Sequence, residues 1–100
     1  MKIEQQTIDE LLIYLENNKH KYVNSTLIIL NVPEIKNQIK LREIINQLRT
    51  NGKTIVSSKS GYKLSDNIEE IFTCVFNLKH RANKICNAAI GMITSTVEIN

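Results

Sequence analysis

Few of the 100 residues could do covalent or metal chemistry. The histidines, His20 and His80, stand far apart, and neither has a Ser or Cys beside it in a nucleophile context or a second His at ligand spacing. Each reads as a surface residue. The cysteines, Cys74 and Cys86, fall in what the pattern makes one helix. At about 1.5 Å rise per residue their Cα atoms stand roughly 18 Å apart, far beyond disulfide reach. With no Cys or His neighbour at metal spacing, both read as small apolar fillers. A Gly-rich phosphate loop is missing too. Neither catalysis, a metal site nor a cofactor is expected.

What remains is a set of cationic and amide side chains of the kind that reads nucleic acid. Lys36, Asn37, Gln38, Lys40, Arg42 and Asn46 share one segment, and Lys53, Lys59 and Ser60 follow it closely. Arg pairs with guanine edges, Asn and Gln pair with adenine, and Lys meets phosphate oxygens. The N-terminal half of a recognition helix enters the major groove, which makes Asn37, Gln38, Lys40 and Arg42 the expected base readers, with Asn46 deeper on the same face. Lys59 and Ser60, at a turn, would touch a phosphate or enter the minor groove, and Lys53 and Lys63 would add charge toward the backbone. Glu43 opposes phosphate on that face. A net charge of +3 permits an anionic partner without demanding one. With aromatics at 5% and no Trp, a stacking platform for single strands is poorly supplied.

These side chains need a scaffold, and the periodicity supplies one. Thr7, Ile8, Asp9 and Glu10 form a capping box, after which Ile8, Leu11, Leu12 and Leu15 repeat at helical spacing, predicting a first helix over residues 8–17. A polar loop over 17–21 leads to Tyr22 and Val23, a short extended piece. Ser25 is the expected N-cap of a second helix over 26–30, although Thr26, Ile28 and Ile29 would equally suit a strand. Asn31, Val32 and Pro33 must interrupt it, because the residue before a proline is pushed out of the α region.

Leu41, Ile44, Ile45 and Leu48 make the inner stripe of a third helix over 39–50, which Asn51 and Gly52 stop. Two strands over 54–58 and 62–64 flank a turn at Lys59, Ser60 and Gly61. A helix running straight into a small hairpin is the latter half of a winged helix-turn-helix. The expected fold is therefore α+β, mostly α: three helices plus a β-hairpin wing over residues 1–65, then a long C-terminal helix over 66–97.

That last helix opens on a second capping box, Asp66, Asn67, Ile68 and Glu69. Ile68, Ile71, Phe72, Val75, Leu78, Ala82, Ile85, Cys86, Ala89, Met92 and Ile93 then follow in steps mostly alternating three and four, close to a heptad repeat. One small domain cannot cover so long a stripe. Either the helix breaks near residues 77–79 and folds back, or its far half dimerises through Ala82, Ile85, Ala89, Met92 and Ile93. Small residues there (Ala82, Ala88, Ala89, Gly91) permit close helix approach, and self-association is the preferred reading. The first six residues hold no apolar leader core and no run approaches a membrane span, so the expected location is the cytoplasm. The sequon Asn24, Ser25, Thr26 is then coincidental.

Over residues 41–89 the chain resembles a family of small winged helix-turn-helix proteins of bacteriophages and prophages. The resemblance is carried by LREIINQLRTNGKTIVSSKSGYKLSD, then IEEIF, then LKHRANKICNAA, with STLIILNV standing where helix 2 would be. It implies a protein that binds double-stranded DNA as a transcriptional regulator or in replication. Two features depart from the family pattern. Pro33, Glu34, Ile35 and Lys36 lengthen the turn between helices 2 and 3, and helix 2 is apolar. The apolar helix 2, the modest charge and the long C-terminal helix fit an alternative of another class: a winged-helix phage protein that binds and inhibits a host or defence machine, such as an anti-CRISPR or polymerase inhibitor, without reading DNA.

Overall fold

The chain forms α1 (Gln5–Asn17), α2 (Ser25–Asn31), a 3-10 turn (Pro33–Ile35), α3 (Gln38–Thr50), β1 (Ile55–Ser58), β2 (Gly61–Leu64) and α4 (Ile68–Ile99). This is a computed structural model that describes residues 4–99, with side chains to residue 96. Met1, Lys2 and Ile3, part of the stretch read for a leader, lie outside the described residues.

α1 begins before the expected capping box, and Thr7 does not cap it. The first turn closes on the Glu4 carbonyl, which accepts from Thr7 N–H at 3.1 Å and Ile8 N–H at 3.3 Å. Thr7 is instead buried beside Ile8, Leu11 and Leu15. The added turn is held by i,i+4 bonds from Gln5 Nε2 to Asp9 and from Gln6 Nε2 to Glu10. Burial of the Thr7 face outweighs the cap its hydroxyl could have made.

Residues 25–31 are helical, not extended. Their N-cap is Asn24 rather than Ser25: Asn24 Oδ1 accepts from Thr26 N–H at 2.8 Å. Ile28, fully buried, pins the short helix to the core. Pro33 starts the 3-10 turn, Ile35 drops into the core, and Lys36 turns the chain through φ 74. Asn37 then caps α3, its Oδ1 accepting from Lys40 N–H at 2.9 Å.

α3 ends as its Asn-Gly pair predicts. Gly52, at φ +91, donates to the Arg49 carbonyl at 3.0 Å, and Lys53 N–H reaches the Leu48 carbonyl at 3.0 Å. This double closure satisfies carbonyls that the last turn would otherwise orphan. The antiparallel hairpin pairs Ile55 with Leu64, Val56 with Lys63, Ser57 with Tyr62 and Ser58 with Gly61. Val23 adds the expected extended piece, donating to Tyr62 O at 2.8 Å and accepting from Tyr62 N–H at 3.0 Å.

The core joins Ile8, Leu11 and Leu15 of α1, Ile28 of α2, and Leu41, Ile44, Ile45 and Leu48 of α3, closed by Val23, Val32, Ile35 and Ile55. Alternation along β1 sends Ile55 into this core and leaves Val56 to the other face, where it is buried beside α4. The hairpin is thus held between the helical core and the first turns of α4.

α4 is capped one residue later than expected. Asn67 Oδ1 accepts from Glu70 N–H at 3.2 Å, while Glu70 accepts from the Ser65 hydroxyl at 2.8 Å. No break occurs at residues 77–79: the helix runs unbroken for 32 residues, and every described side chain from residue 79 to 96 is exposed. The fold-back alternative is therefore wrong. The continuous helix points its far half away from the domain, which cannot bury it. The protein is α+β and mostly helical, an arrangement compatible with a winged helix-turn-helix. Among the described residues no helix is long and apolar enough to cross a membrane.

Candidate functional site

The inner stripe of α3 fixes where its polar residues point. With Leu41, Ile44, Ile45 and Leu48 buried, Gln38, Arg42 and Arg49 fall on one flank, toward the hairpin. Arg49 is used structurally. Its Nε–H donates to Ile55 O at 2.8 Å, and Nη2 reaches Ser57 Oγ at 3.2 Å and Cys74 Sγ at 3.7 Å. One guanidinium therefore ties α3 to β1 and to α4, as the planar fork of Arg allows.

Above it lies a polar cleft of about 450 Å³. Gln38 and Arg42 enter from α3, Ser58 and Lys59 from the hairpin tip, Asn24 from the mouth of α2, and Arg81 from α4. No carboxylate lines it. Among the described residues the ion pairs are Lys19 with Asp66 and Lys63 with Glu70, so Arg42, Lys59 and Arg81 keep their charge uncompensated. Three like charges brought together with no counter-charge form a local positive potential that suits an anion.

Arg81 is the residue that reading the sequence missed. It belongs to a different element from the segment 36–60, so nothing local links it to Arg42. A signal existed: Cys74, Leu78 and Arg81 step along one side of α4 at four and three, and Cys74 and Leu78 are half-buried over β1.

The other expected site residues are distributed differently. Lys40 lies roughly 160° around α3 from Arg42 at about 100° per residue, on the flank away from the hairpin. Asn37 has its side-chain oxygen engaged in the cap. Lys36 is exposed on the turn before α3, and Asn46 is exposed farther along the helix. Ser60 sits at the hairpin tip, its N–H donating to Ser58 Oγ at 3.0 Å. Lys53 lies at the opposite end of the hairpin, beside Gly52. Lys63 is engaged: it pairs with Glu70 and stands 4.5 Å over the Tyr22 ring. The bond to Glu70 raises the Lys63 pKa, and the same bond, with help from the Ser65 hydroxyl, lowers that of Glu70.

The remaining reactive side chains do not converge. His80 stacks on Phe76 with centroids 6.3 Å apart on the exposed side of α4. Cys74 is half-buried, but Cys86 is exposed and so is not a core filler. Among the described residues no group of His, Cys, Asp or Glu could hold a metal ion. Ala82, Ile85, Ala89, Met92 and Ile93, the expected dimer residues, are all exposed. Comparison with protein-family models, with curated proteins and with solved structures gave no match.

Proposed function

We propose that this protein is a winged helix-turn-helix module that binds double-stranded DNA, with α3 as the recognition helix and the hairpin as the wing. The observation that carries the reading is the acid-free cleft where Gln38 and Arg42 meet Lys59 and Arg81. A backbone phosphate seated there would be met from three elements at once, which fixes register on the duplex. The outward face of α3 then lies in the major groove. Ile39 is exposed there for a thymine methyl, Glu43 can accept from a cytosine amino group, and Asn46 can pair with adenine. On this view Glu43 reads a base instead of repelling a phosphate. The resemblance to small phage and prophage winged-helix proteins supports a role in regulating transcription or replication.

The test is fluorescence anisotropy on a mixed-sequence duplex across a salt series. The expected result is binding that weakens steeply with salt, with Arg42→Ala, Lys59→Ala and Arg81→Ala each reducing the log–log slope by about 0.9. No binding at about 50 mM salt, or binding indifferent to all three changes, refutes the reading. A second reading, a host or defence protein as target, is favoured by one observation: Leu27 and Leu30 stand exposed on α2. Under it, Leu30→Asp abolishes capture of that target, while the cleft variants do not.

A further inference from the structure

We propose that α4 pairs with the α4 of a second copy of this chain, along a seam that starts beside the hairpin and runs the length of the helix. Three lines of side chains repeat at seven-residue intervals: Ile71, Leu78, Ile85, Met92; then Ile68, Val75, Ala82, Ala89; then Phe72, Lys79, Cys86, Ile93. The domain covers only the start of the first, where Ile71 and Leu78 are half-buried over β1. In the other two, Val75 borders the same cavity over β1 yet is 46% exposed, and Ile68, Phe72 and Ile93 are 65%, 68% and 65% exposed; the far half of the first line, Ile85 and Met92, is open too. The free seam is therefore Ile68, Phe72, Val75, Lys79, Ala82, Cys86, Ala89 and Ile93, stepping four and three throughout. It differs from the seam expected from the sequence because β1 already holds the Ile71–Leu78 line.

Three observations select a second copy as the occupant. First, the period is 3.5 residues. On a straight helix such a line drifts by about 20° per heptad, so only a helix that supercoils with it stays in contact from end to end. Another copy presents the same repeat in the same phase, and a two-fold axis makes the pairing self-complementary. Second, Ala82, Cys86 and Ala89 are small and sit mid-seam, which lets the two axes approach to about 8 Å. Third, the large side chains of the seam, Ile68, Phe72 and Ile93, are 65%, 68% and 65% exposed, apolar surface that the domain leaves for an interface between copies.

A lipid surface fits less well. A helix that lies on a membrane carries a polar face rich in Lys and Arg. The side opposite this seam carries Thr73, Asn77, His80, Asn87 and Thr94, with Arg81 and Lys84 as its cations, few for a helix of 32 residues.

The pairing is independent of DNA binding and is tested without DNA, by sedimentation equilibrium of the full chain in reducing buffer, so that a Cys86 disulfide cannot supply the mass. Twice the monomer mass is expected. Ala82→Glu combined with Ala89→Glu should return the protein to monomer with its melting transition retained, since these positions touch nothing in the domain. Asn87→Glu, on the opposite side, should remain a dimer. A wild-type monomer at 100-fold the concentration used for DNA binding overturns the proposal and assigns the seam to a different partner. So does a dimer that survives the paired glutamates, or one that Asn87→Glu disrupts equally.

Discussion

Replacing Gly61 by alanine should be the most damaging small substitution in the molecule. Gly61 holds φ +125 at the start of β2, and a Cβ there would sit 2.0 Å from the Val23 carbonyl oxygen, 2.6 Å from its carbon and 2.9 Å from Asn24 Cα. All three are backbone atoms, so no rotamer change relieves the clash. The Val23–Tyr62 bridge must open, losing hydrogen bonds of 2.8 and 3.0 Å at roughly 1 kcal/mol each. The positive φ adds about 1–2 kcal/mol for any L-residue with a side chain. The total is about 3–4 kcal/mol, or a fall of about 15–25 °C in Tm for a domain of this size.

Gly52 provides the internal control. It also has positive φ, +91, but nothing lies within 4 Å of its Cβ position. Gly52→Ala should therefore cost only the conformational part, about 1–2 kcal/mol. Urea unfolding of both variants, followed by circular dichroism, measures the difference directly. If Gly61→Ala unfolds within 1 kcal/mol of Gly52→Ala, the close approach of Val23 to the hairpin is not what Gly61 is there to allow.

The two arginines on the hairpin flank of α3 should separate cleanly. Arg49→Ala removes bonds to Ile55 O and Ser57 Oγ and should lower stability by about 1.5–3 kcal/mol in a urea titration, whereas exposed Arg42→Ala should change it by less than about 0.5 kcal/mol while weakening DNA binding. The start of α4 should also respond to pH. Glu70 is lowered by its bonds to Lys63 and Ser65, so the unfolded chain binds its proton more readily; that stability is present above the ordinary carboxylate value of 4.5 and is lost as pH falls through the lowered one. Lys63 is raised, so its contribution is complete below 10.5 and is lost as pH rises beyond its folded value. Urea midpoints across pH should show the gap between wild type and Glu70→Gln closing at the acid end; a gap that persists at pH well below the carboxylate range would contradict the assignment.

The path from α3 to β2 was legible because local rules dictate it. The stripe Leu41, Ile44, Ile45 and Leu48, the Asn51–Gly52 stop and the β-branched strands agree with one another, so the helix and hairpin fell where the pattern put them. Caps were less legible. Thr7, Ser25 and Asp66 all have capping chemistry, yet Thr7 is buried, and Asn24 and Asn67 cap in place of the other two. Which residue caps depends on which neighbours the core claims, and that is not a local quantity. The candidate site was legible in part: Gln38, Arg42 and Lys59 were identified, but Arg81 was not, and Lys40 and Lys53 lie apart from the cleft.

By itself the sequence determined α1, α3 and the hairpin and their inward faces, through backbone propensity and periodic burial acting within a few residues, while residues 26–30 suited helix and strand alike until the core claimed Ile28. Only the tertiary structure decided which charges are free. Lys63 is engaged because Glu70 and Tyr22 meet it, and Arg49 because β1 and Cys74 do. Arg42 and Lys59 are joined by Arg81 because α4 packs on β1, a contact that no local interaction sets. Charge pairing depends on distances through space between elements far apart in the chain, and those distances exist only once the hairpin is held between the core and α4.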